Sequence, residues 1–359
     1  MITNCKAEIC EAFGIETDCV PYGGGHINDT FIASRDGRPY VLQRINTKVF
    51  SNPDELMENI HSVTDYLRKK IKENGGDPNR ETMAVLLTED GQKFYRDSEG
   101  DCYRVCVFVQ DSITLESVSK PEEFYQSAKA FGKFQNMLSD FPAEKLHETI
   151  VKFHDTPDRV RQLKEAIEKN LSGRLDTCRE EVEYALEQAK DASKVCDAMK
   201  EGSIPVRVTH NDTKLNNVLF DKDTLEGLCV IDLDTVMPGS LLYDFGDSLR
   251  YGANTAAEDE KDLDKVTFNL ELFEAFTKGF VSEVKDSLTE KEKELLAFSA
   301  KLMTYECGIR FLADYINGDT YFKTKYPEHN LDRAKNQFKL CKDIDLKMEE
   351  MNRIVNENC

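Results

Sequence analysis

Residues 204–250 read IPVRVTHNDTKLNNVLFDKDTLEGLCVIDLDTVMPGSLLYDFGDSLR, and the rest of the chain is best understood from this stretch. β-Branched and apolar residues before the HND triplet, and again over 228–231, predict two short strands with a turn between them. Asp212 and Asn217 follow the first strand, and Asp232 ends the second. Two acidic groups and an amide therefore come at the ends of short strands, where rigid scaffolds carry catalytic loops.

The spacing H-x-D-x-x-x-x-N, from His210 to Asn217, is typical of a phosphoryl-transfer loop. In such loops the Asp accepts the proton of the substrate hydroxyl, the Asn binds Mg²⁺, and a later Asp binds the metal as well. Here these residues are Asp212, Asn217 and Asp232, while His210 braces the loop backbone and Lys214 reaches the transferring phosphate. The alternative is a hairpin whose Asn and Asp residues serve only the turn. The acidic end of the second strand argues against that alternative.

A further acidic motif, Asp244-Phe245-Gly246, spells the metal-binding tripeptide of protein kinases. It lies 27 positions after Asn217, whereas Asp232 lies 15 positions after it, which is close to the interval in kinases. We therefore assign the metal to Asp232 and expect Asp244 to brace the catalytic loop from the start of a helix. Asp234 is either a second metal ligand or a turn residue.

Several segments together resemble the bacterial N-acetylhexosamine 1-kinases, within the aminoglycoside phosphotransferase and choline kinase superfamily. They are spread over residues 20–340 and read PYGGGHIND, YVLQRINTKVF, HETIVKFHDTP, HNDTKLNNV, IDLDTVMPGSLLYDFGDSLR, TAAEDE and ECGIRFLADYINGDTYF. Their conjunction is far more specific than any one of them.

This resemblance implies a two-lobed, protein-kinase-like α/β fold that uses ATP and Mg²⁺. We expect a nucleotide-binding lobe over residues 1–109 and a mainly helical, catalytic and sugar-binding lobe over residues 110–359. The resemblance also implies that His26, Arg310 and Tyr321 contact the sugar. Judged from the residues alone, Arg310 in an apolar helix could equally belong to a buried Arg–Asp pair.

The first lobe carries the residues expected to bind the nucleotide. Gly23, Gly24 and Gly25 lie between two predicted strands, where backbone N–H groups can approach phosphate oxygens closely. Gln43 stands in the register of the kinase strand lysine, and it brings an amide where a charge is usual. A predicted strand ends at Val109, and residues 110–112 interrupt the strand pattern after it, so we expect Val109 and Asp111 to form a hinge against adenine.

Helical periodicity predicts the remaining elements. A helix over 54–72 would turn Glu55 or Glu58 to the cleft, and a helix over 121–139 has an apolar, core-forming stripe. Alternating charge over 157–200 predicts two solvated surface helices. Two helices around Asp286 and a last helix over 331–354 complete the chain.

The composition excludes some partners. With 47 Lys and Arg against 67 Asp and Glu, the formal charge of −20 argues against nucleic acid and anionic membrane surfaces. Eleven cysteines without paired CxxC spacing and no apolar run of spanning length predict a cytoplasmic protein with reduced thiols. We expect it to act as a monomer on a small-molecule sugar and a nucleotide.

The expected reaction is phosphorylation of the C1 hydroxyl of GlcNAc or GalNAc, with Asp212 orienting and deprotonating that hydroxyl. Three alternatives remain open. One is a kinase of the same fold for choline, an aminoglycoside or another alcohol. Another is a non-catalytic nucleotide-binding pseudokinase, which Gln43 would suit. The last is a metal-dependent phosphohydrolase built on the same carboxylates.

Overall fold

A computed structural model describes residues 3–23 and 27–359 of the chain. In this part of the chain the strands are β1 (Thr3–Asn4), β2 (Asp18–Pro21), β3 (Asp29–Arg35), β4 (Arg38–Ile45), β5 (Val85–Leu86), β6 (Tyr95–Arg96), β7 (Cys102–Val107), β8 (Ser112–Ile113), β9 (Arg207–Thr209), β10 (Val218–Asp221), β11 (Gly227–Val230) and β12 (Met237–Gly239). The helices are α1 (Ala7–Phe13), α2 (Pro53–Glu73), α3 (Pro121–Met137), α4 (Thr156–Lys169), α5 (Arg179–Gln188), α6 (Lys194–Lys200), α7 (Leu241–Gly252), α8 (Leu270–Val284), α9 (Glu290–Asn317) and α10 (His329–Asn358).

These elements form two compact units. The sheet unit comprises residues 1–114, 140–151 and 218–238, and the helical unit comprises residues 115–139, 152–217 and 239–359. The predicted α/β fold, with a small sheet part and a larger helical part, is confirmed. The predicted lobe boundary after residue 109 stays a prediction.

The sheet unit is built on a seven-stranded antiparallel sheet in the order β1-β2-β3-β4-β7-β5, with β6 also paired to β7. Asp36 and Gly37 both have positive φ, of 52° and 72°, between β3 and β4. This is the two-residue turn that the Asp-Gly pair predicts, since its twist suits a hairpin. One face of the sheet packs against α1 through Ile9 and Phe13, which meet Leu42 and neighbouring apolar residues.

Helix α2 and a second, three-stranded sheet (β11-β10-β8) complete the sheet unit. Asn52 caps α2 by accepting from the Glu55 N–H at 3.4 Å, and Pro53 occupies the first turn, as the sequence predicts. The buried Asn59 amide donates to the carbonyls of His147 at 2.8 Å and Val236 at 3.0 Å. Helix α2 is thereby tied to the two chain segments that return to this unit.

The helical unit has its core around α9, a 28-residue helix that is buried along most of its length. A capping box of Thr289 and Glu292 begins this helix, and Gly318, with φ 95°, ends it. Apolar residues from α4, α5 and α10 pack against α9 in one cluster. The two helices predicted on either side of Asp286 are found as α8 and α9.

The prediction of two solvated helices over residues 157–200 is wrong. Three α-helices occupy the region, and Leu163, Cys178 and Val195 are fully buried. Charged residues dominate the composition there, but the few apolar residues recur at helical spacing and bury one face of each helix.

All eleven cysteines are free thiols in the structure. Within the described residues, no helix combines the length and the apolar character needed to cross a membrane.

Candidate active site

The predicted catalytic loop begins directly after β9, in the helical unit. The ring of His210 is fully buried and makes edge contacts with Phe131 and Phe134, with ring centroids 5.5 and 6.1 Å away. Its Nδ1 atom accepts from the backbone N–H of Asp212 at 3.2 Å. Asn211 between them has φ 66°, a left-handed conformation that Asn tolerates better than most residues. His210 therefore braces the loop backbone, as expected.

Asp244 holds the same loop from the first turn of α7. Its carboxylate accepts from the backbone N–H groups of His210 at 2.9 Å and Asn211 at 2.8 Å, and from Gln135 Nε2 at 2.5 Å. Its carbonyl accepts from the Thr213 hydroxyl at 2.6 Å. Burial raises the pKa of Asp244, against the opposing effect of His210 and these donors. The expectation that Asp244 braces the loop is confirmed.

A buried His–Glu pair supports the loop as well. His154 Nδ1 lies 2.7 Å from Glu306 Oε1, and His154 Nε2 lies 3.3 Å from the carbonyl of Asn211. The Thr156 hydroxyl donates to the other oxygen of Glu306 at 2.6 Å. His154 thus has a structural role in shaping the loop.

Asp212 presents a partly exposed carboxylate, with 30% of its side chain accessible. Its Oδ1 atom lies 2.7 Å from Lys214 Nζ. Asn217 Nδ2 donates to the Asp212 carbonyl at 2.8 Å and to Oδ2 at 3.2 Å. Asp212, Lys214 and Asn217 are therefore in contact, and the Asp212 carboxylate remains open to a hydroxyl substrate.

Besides Asp212, a second carboxylate, that of Asp247 in α7, favours the charged form of Lys214. Burial works against its charged form, but Asp212 and Asp247 outweigh burial and raise the pKa of Lys214. Burial likewise opposes ionisation of Asp247, yet Arg250 and Lys214 hold the pKa of that carboxyl below its ordinary value. Arg250 Nε donates to Asp247 at 2.8 Å, and its Nη1 donates to Glu258 at 2.9 Å. A positive side chain thus lies beside Asp212.

In the sheet unit, the predicted metal ligand Asp232 follows β11 and has φ 61° and ψ 56°. A non-glycine residue in this conformation carries a strain that tends to occur at functional sites. The side chain of Asp232 is exposed, whereas Asp234 is only 4% exposed. Asp234 accepts from Asn28 Nδ2 at 2.6 Å and forms an ion pair with Arg104. Asp234 thus has one hydrogen bond, through Oδ2, and one ion pair, through Oδ1, which makes no hydrogen bond. These contacts favour its structural role over that of a second metal ligand.

Each of the two predicted metal ligands, taken by itself, offers an oxygen donor suited to Mg²⁺. Nδ2 of Asn217 makes two hydrogen bonds, and no hydrogen bond to its amide oxygen is found among the described residues. Asp232 contributes an exposed carboxylate. Carboxylate and amide oxygens are hard ligands of the kind that Mg²⁺ binds.

The residues predicted to bind nucleotide lie in the sheet unit. Gly23 follows β2 with φ 72°, while Gly24, Gly25 and His26 lie outside the described residues. Both polar atoms of Gln43 are engaged within the sheet. Its Oε1 accepts from Arg104 Nε at 2.9 Å, and its Nε2 donates to Thr30 Oγ1 at 3.2 Å.

The predicted hinge residues follow β7. Val109 is buried, and its carbonyl accepts from the Ser112 hydroxyl at 2.7 Å. Asp111 has φ 54°, and its carboxylate pairs with Lys222. The chain therefore turns sharply at the position where the strand pattern breaks.

Two of the residues predicted to contact sugar, Arg310 and Tyr321, lie together in a cluster of aromatic rings in the helical unit. The Arg310 guanidinium lies 5.3 Å from the ring centre of Phe153, 5.6 Å from that of Phe322 and 6.0 Å from that of Tyr321. Tyr321 is 63% exposed. Arg310 has no hydrogen bond or ion pair with any described residue, so the alternative of a buried Arg–Asp pair is not found there.

Two neighbours of this cluster, Arg159 and Asp314, were not predicted from the sequence as site residues. Arg159 donates to the Phe153 carbonyl at 2.8 Å, and burial together with the charge of Arg310 lowers its pKa. Asp314 accepts from the backbone N–H groups of Thr320, Tyr321 and Phe322, each at 2.9 Å. The sequence signal that could have predicted this contact is the position of Asp314, an acidic residue near the end of a helix and six to eight positions before the loop residues whose N–H groups it binds.

Arg104 was also missed, although an arginine within the apolar strand CYRVCV was a usable signal. It is 1% exposed and meets both Gln43 and Asp234. A charge buried this completely needs partners from elsewhere in the chain.

Residues 18–271 match the model of a protein family described as APH, the phosphotransferase enzyme family. Among solved structures, an aminoglycoside phosphotransferase from Alicyclobacillus acidocaldarius is similar over 99% of this chain and 98% of its own, with 13% identity and a TM-score of 0.64. A microcompartment-associated aminopropanol kinase is similar over 96% of this chain and 97% of its own (13% identity, TM-score 0.59). Spectinomycin phosphotransferase, in complex with ADP and spectinomycin, has the same coverage, with 14% identity and a TM-score of 0.57.

Proposed function

This chain belongs to the APH phosphotransferase enzyme family, and on that premise we propose that it transfers the γ-phosphoryl group of ATP to the C1 hydroxyl of an N-acetylhexosamine. The products are the hexosamine 1-phosphate and ADP. The observation that carries the proposal is the Asp212 carboxylate, which is partly exposed and held by Lys214 and Asn217 on a loop braced by Asp244.

In this reaction Asp212 orients the sugar hydroxyl and accepts its proton. An anomeric hydroxyl is more acidic than an ordinary alcohol, which makes its deprotonation by a carboxylate easier. Lys214 stabilises the negative charge of the transferring phosphoryl group. Because phosphoryl transfer depends mainly on positioning and charge neutralisation, the rigid bracing of this loop is the protein's main contribution.

Asn217 and Asp232 are the residues that would hold Mg²⁺, which neutralises phosphate charge when bound. Gly23, Gly24, Gly25, Val109 and Asp111 remain our proposal for residues that contact ATP. That proposal rests on their sequence context and not on contacts of the described residues.

The choice of an acetylated sugar as acceptor rests on the resemblance to N-acetylhexosamine 1-kinases and on the Arg310 cluster. Arg310 offers unpaired N–H donors beside Phe153 and Tyr321, which suits hydroxyl and acetamido oxygens packed against an aromatic ring. His26 remains our proposal for a further sugar contact, on the basis of the resemblance alone. Arg159 adds a second positive charge nearby, which disfavours a cationic acceptor such as choline, an amino alcohol or an aminoglycoside.

Phosphorus NMR of a reaction containing ATP, Mg²⁺ and GlcNAc or GalNAc tests the proposal. We expect a new phosphomonoester signal coupled to the anomeric proton, together with stoichiometric ADP. Parallel reactions with choline, ethanolamine and an aminoglycoside serve as competing acceptors. If only one of these competing acceptors is phosphorylated, and neither sugar is, that compound is the acceptor in place of the N-acetylhexosamine. Release of inorganic phosphate with every acceptor unchanged would favour a phosphohydrolase, and absence of any turnover would favour a pseudokinase.

A further inference from the structure

The charge that kinases supply from a strand lysine is absent at Gln43. On the neighbouring strand β7, Arg104 is the direct partner of Gln43 in the antiparallel register. Directly opposed residues project from the same face of a sheet. A cation is therefore available on the face where the strand lysine would lie, one strand away.

Arg104 is held in a fixed orientation. Its Nε atom donates to Gln43 Oε1 at 2.9 Å, and Gln43 is itself anchored by Thr30. Its Nη1 atom pairs with Asp234, whose other oxygen accepts from Asn28. The guanidinium plane is thus fixed from two sides, by the sheet and by the segment that carries Asp232.

Nη1 and Nη2 of Arg104 are both buried and make no hydrogen bond with any described residue. Nη1 still has its ion pair with Asp234, whereas Nη2 has neither an ion pair nor a hydrogen bond among these residues. Buried donors are nearly always satisfied, so one left over at a fully enclosed arginine calls for a ligand. Burial opposes the charged form, but Asp234 outweighs it and keeps the pKa of Arg104 above its ordinary value. The planar fork of arginine matches phosphate oxygens.

We propose that Arg104 takes the part of the strand lysine, with Nη2 donating to a phosphate oxygen of the bound nucleotide and Gln43 acting as its positioning residue. The inference rests on the proposed function, because it concerns the nucleotide of that reaction. Nη2 is enclosed in this structure, so the proposed contact requires the side chains around it to move when the nucleotide binds. Gln43 then contributes to nucleotide binding through Arg104.

A double variant separates this role from a structural one. Arg104→Met alone leaves the buried Asp234 unpaired, so both stability and nucleotide affinity fall. In Arg104→Met/Asp234→Asn both charges are removed, and we expect the melting temperature to recover substantially. Affinity for ADP, measured calorimetrically in EDTA to exclude metal effects, stays at least tenfold weaker than that of the unaltered protein. Asp234→Asn alone keeps the Arg104 guanidinium, so we expect it to bind ADP more tightly than the double variant.

Arg104→Lys keeps the positive charge at this position, and it provides the test of ADP affinity if the Met variants do not fold. We expect it to bind ADP more tightly than Arg104→Met/Asp234→Asn or, failing that variant, than Arg104→Gln. The matched control is Arg207→Met/Glu292→Gln, which removes a buried pair of the helical unit joined at 2.8 Å. This control loses stability but keeps ADP affinity.

Recovery of both stability and ADP affinity in Arg104→Met/Asp234→Asn would show that Arg104 only neutralises Asp234, and would overturn the inference. In that case the unaltered protein still phosphorylates its sugar, so the proposed function stands. If the unaltered protein binds neither ADP nor ATP, the proposed function and this inference fail together.

Discussion

Replacement of Asp244 by Asn tests how the catalytic loop is held in place. The carboxylate of Asp244 accepts three N–H donors, from His210, Asn211 and Gln135, in a fully buried position. An amide of the same shape keeps one acceptor oxygen and turns an NH₂ group toward the remaining donors. The substitution therefore changes hydrogen bonding and charge with almost no change in volume.

The magnitude follows from these contacts. Gln135 Oε1 has no hydrogen-bond partner, so the Gln135 amide can turn and accept from the new NH₂ group. One backbone N–H of the loop is then left buried without an acceptor, at a cost of about 2 kcal/mol, and the surviving bonds lose their ionic character at about 1 kcal/mol. We expect a loss of about 3 kcal/mol in the free energy of unfolding. A loop displaced by about 1 Å lowers kcat roughly 100-fold.

The assay combines urea unfolding with steady-state kinetics on ATP and the sugar. We expect kcat to fall while KM for ATP stays nearly constant, because the side-chain hydrogen bonds of Asp244 found in the described part of the chain go only to the loop and to Gln135. The matched control is Asp343→Asn, whose carboxylate accepts from the Phe268 N–H at 2.6 Å and from Lys347 at 2.6 Å. This control loses stability through the same chemistry but keeps its kcat.

Two results would refute the reasoning. A variant Asp244→Asn with the predicted loss of stability and an unchanged kcat would show that the loop does not depend on this brace. A variant of unchanged stability would show that the orphaned N–H finds another acceptor.

Three further predictions concern other residues of the helical unit. Asp212→Asn should lower kcat by about 10³-fold or more, as expected for loss of a general base. The free energy of unfolding should change by less than about 1 kcal/mol, because the pair of Asp212 with Lys214 is partly exposed. Turnover within tenfold of the unaltered protein would show that Asp212 is not the general base. Asp314→Asn weakens the brace on Tyr321, so KM for the sugar should rise roughly tenfold while KM for ATP is unchanged; an equal rise in both would contradict the proposed sugar contact. Glu306 has a pKa lowered by its partner His154 despite the opposing effect of burial. As pH falls, the Glu306 carboxylate therefore takes up a proton in the unfolded chain before it does so in the folded protein. Its contribution to the free energy of unfolding is complete above about pH 4.3 and is lost as pH falls to the pKa of Glu306 in the folded protein. Unfolding measured from pH 3 to 7 should show a flatter acid limb for Glu306→Gln, and an unchanged limb would show that this pair does not govern acid stability.

Much of the catalytic loop could be predicted because its residues are close together in sequence. His210, Asp212 and Asn217 lie within eight positions, so one local turn brings them into contact whatever surrounds it. The position of Asp244 near the start of a helix was predicted as well, and in the structure Ser240 caps that helix and places Asp244 in its first turn. The shape of the loop and the kind of chemistry it supports were thus local properties.

The environment of Gln43 was not local. Its partner Arg104 is 61 residues away, and their contact depends on the register between β4 and β7. Asn28 and Asp234, which complete this network, are separated by 206 residues. A one-residue change in register would turn Arg104 to the opposite face, and no spacing rule in the sequence encodes that register.

From the sequence alone it could be determined that this protein carries a phosphoryl-transfer loop within an α/β fold, because strand patterns, turns and the H-x-D-x-x-x-x-N spacing are written over a few adjacent residues. Only the tertiary structure decided which distant groups satisfy the buried charges of Arg104, Asp234 and Asp244. The physical reason is the cost of burying an unpaired charge. Because of that cost, each buried charged side chain must have a partner, but the cost does not determine which residue the partner is. The tertiary fold determines it, by bringing together segments that are far apart in the chain.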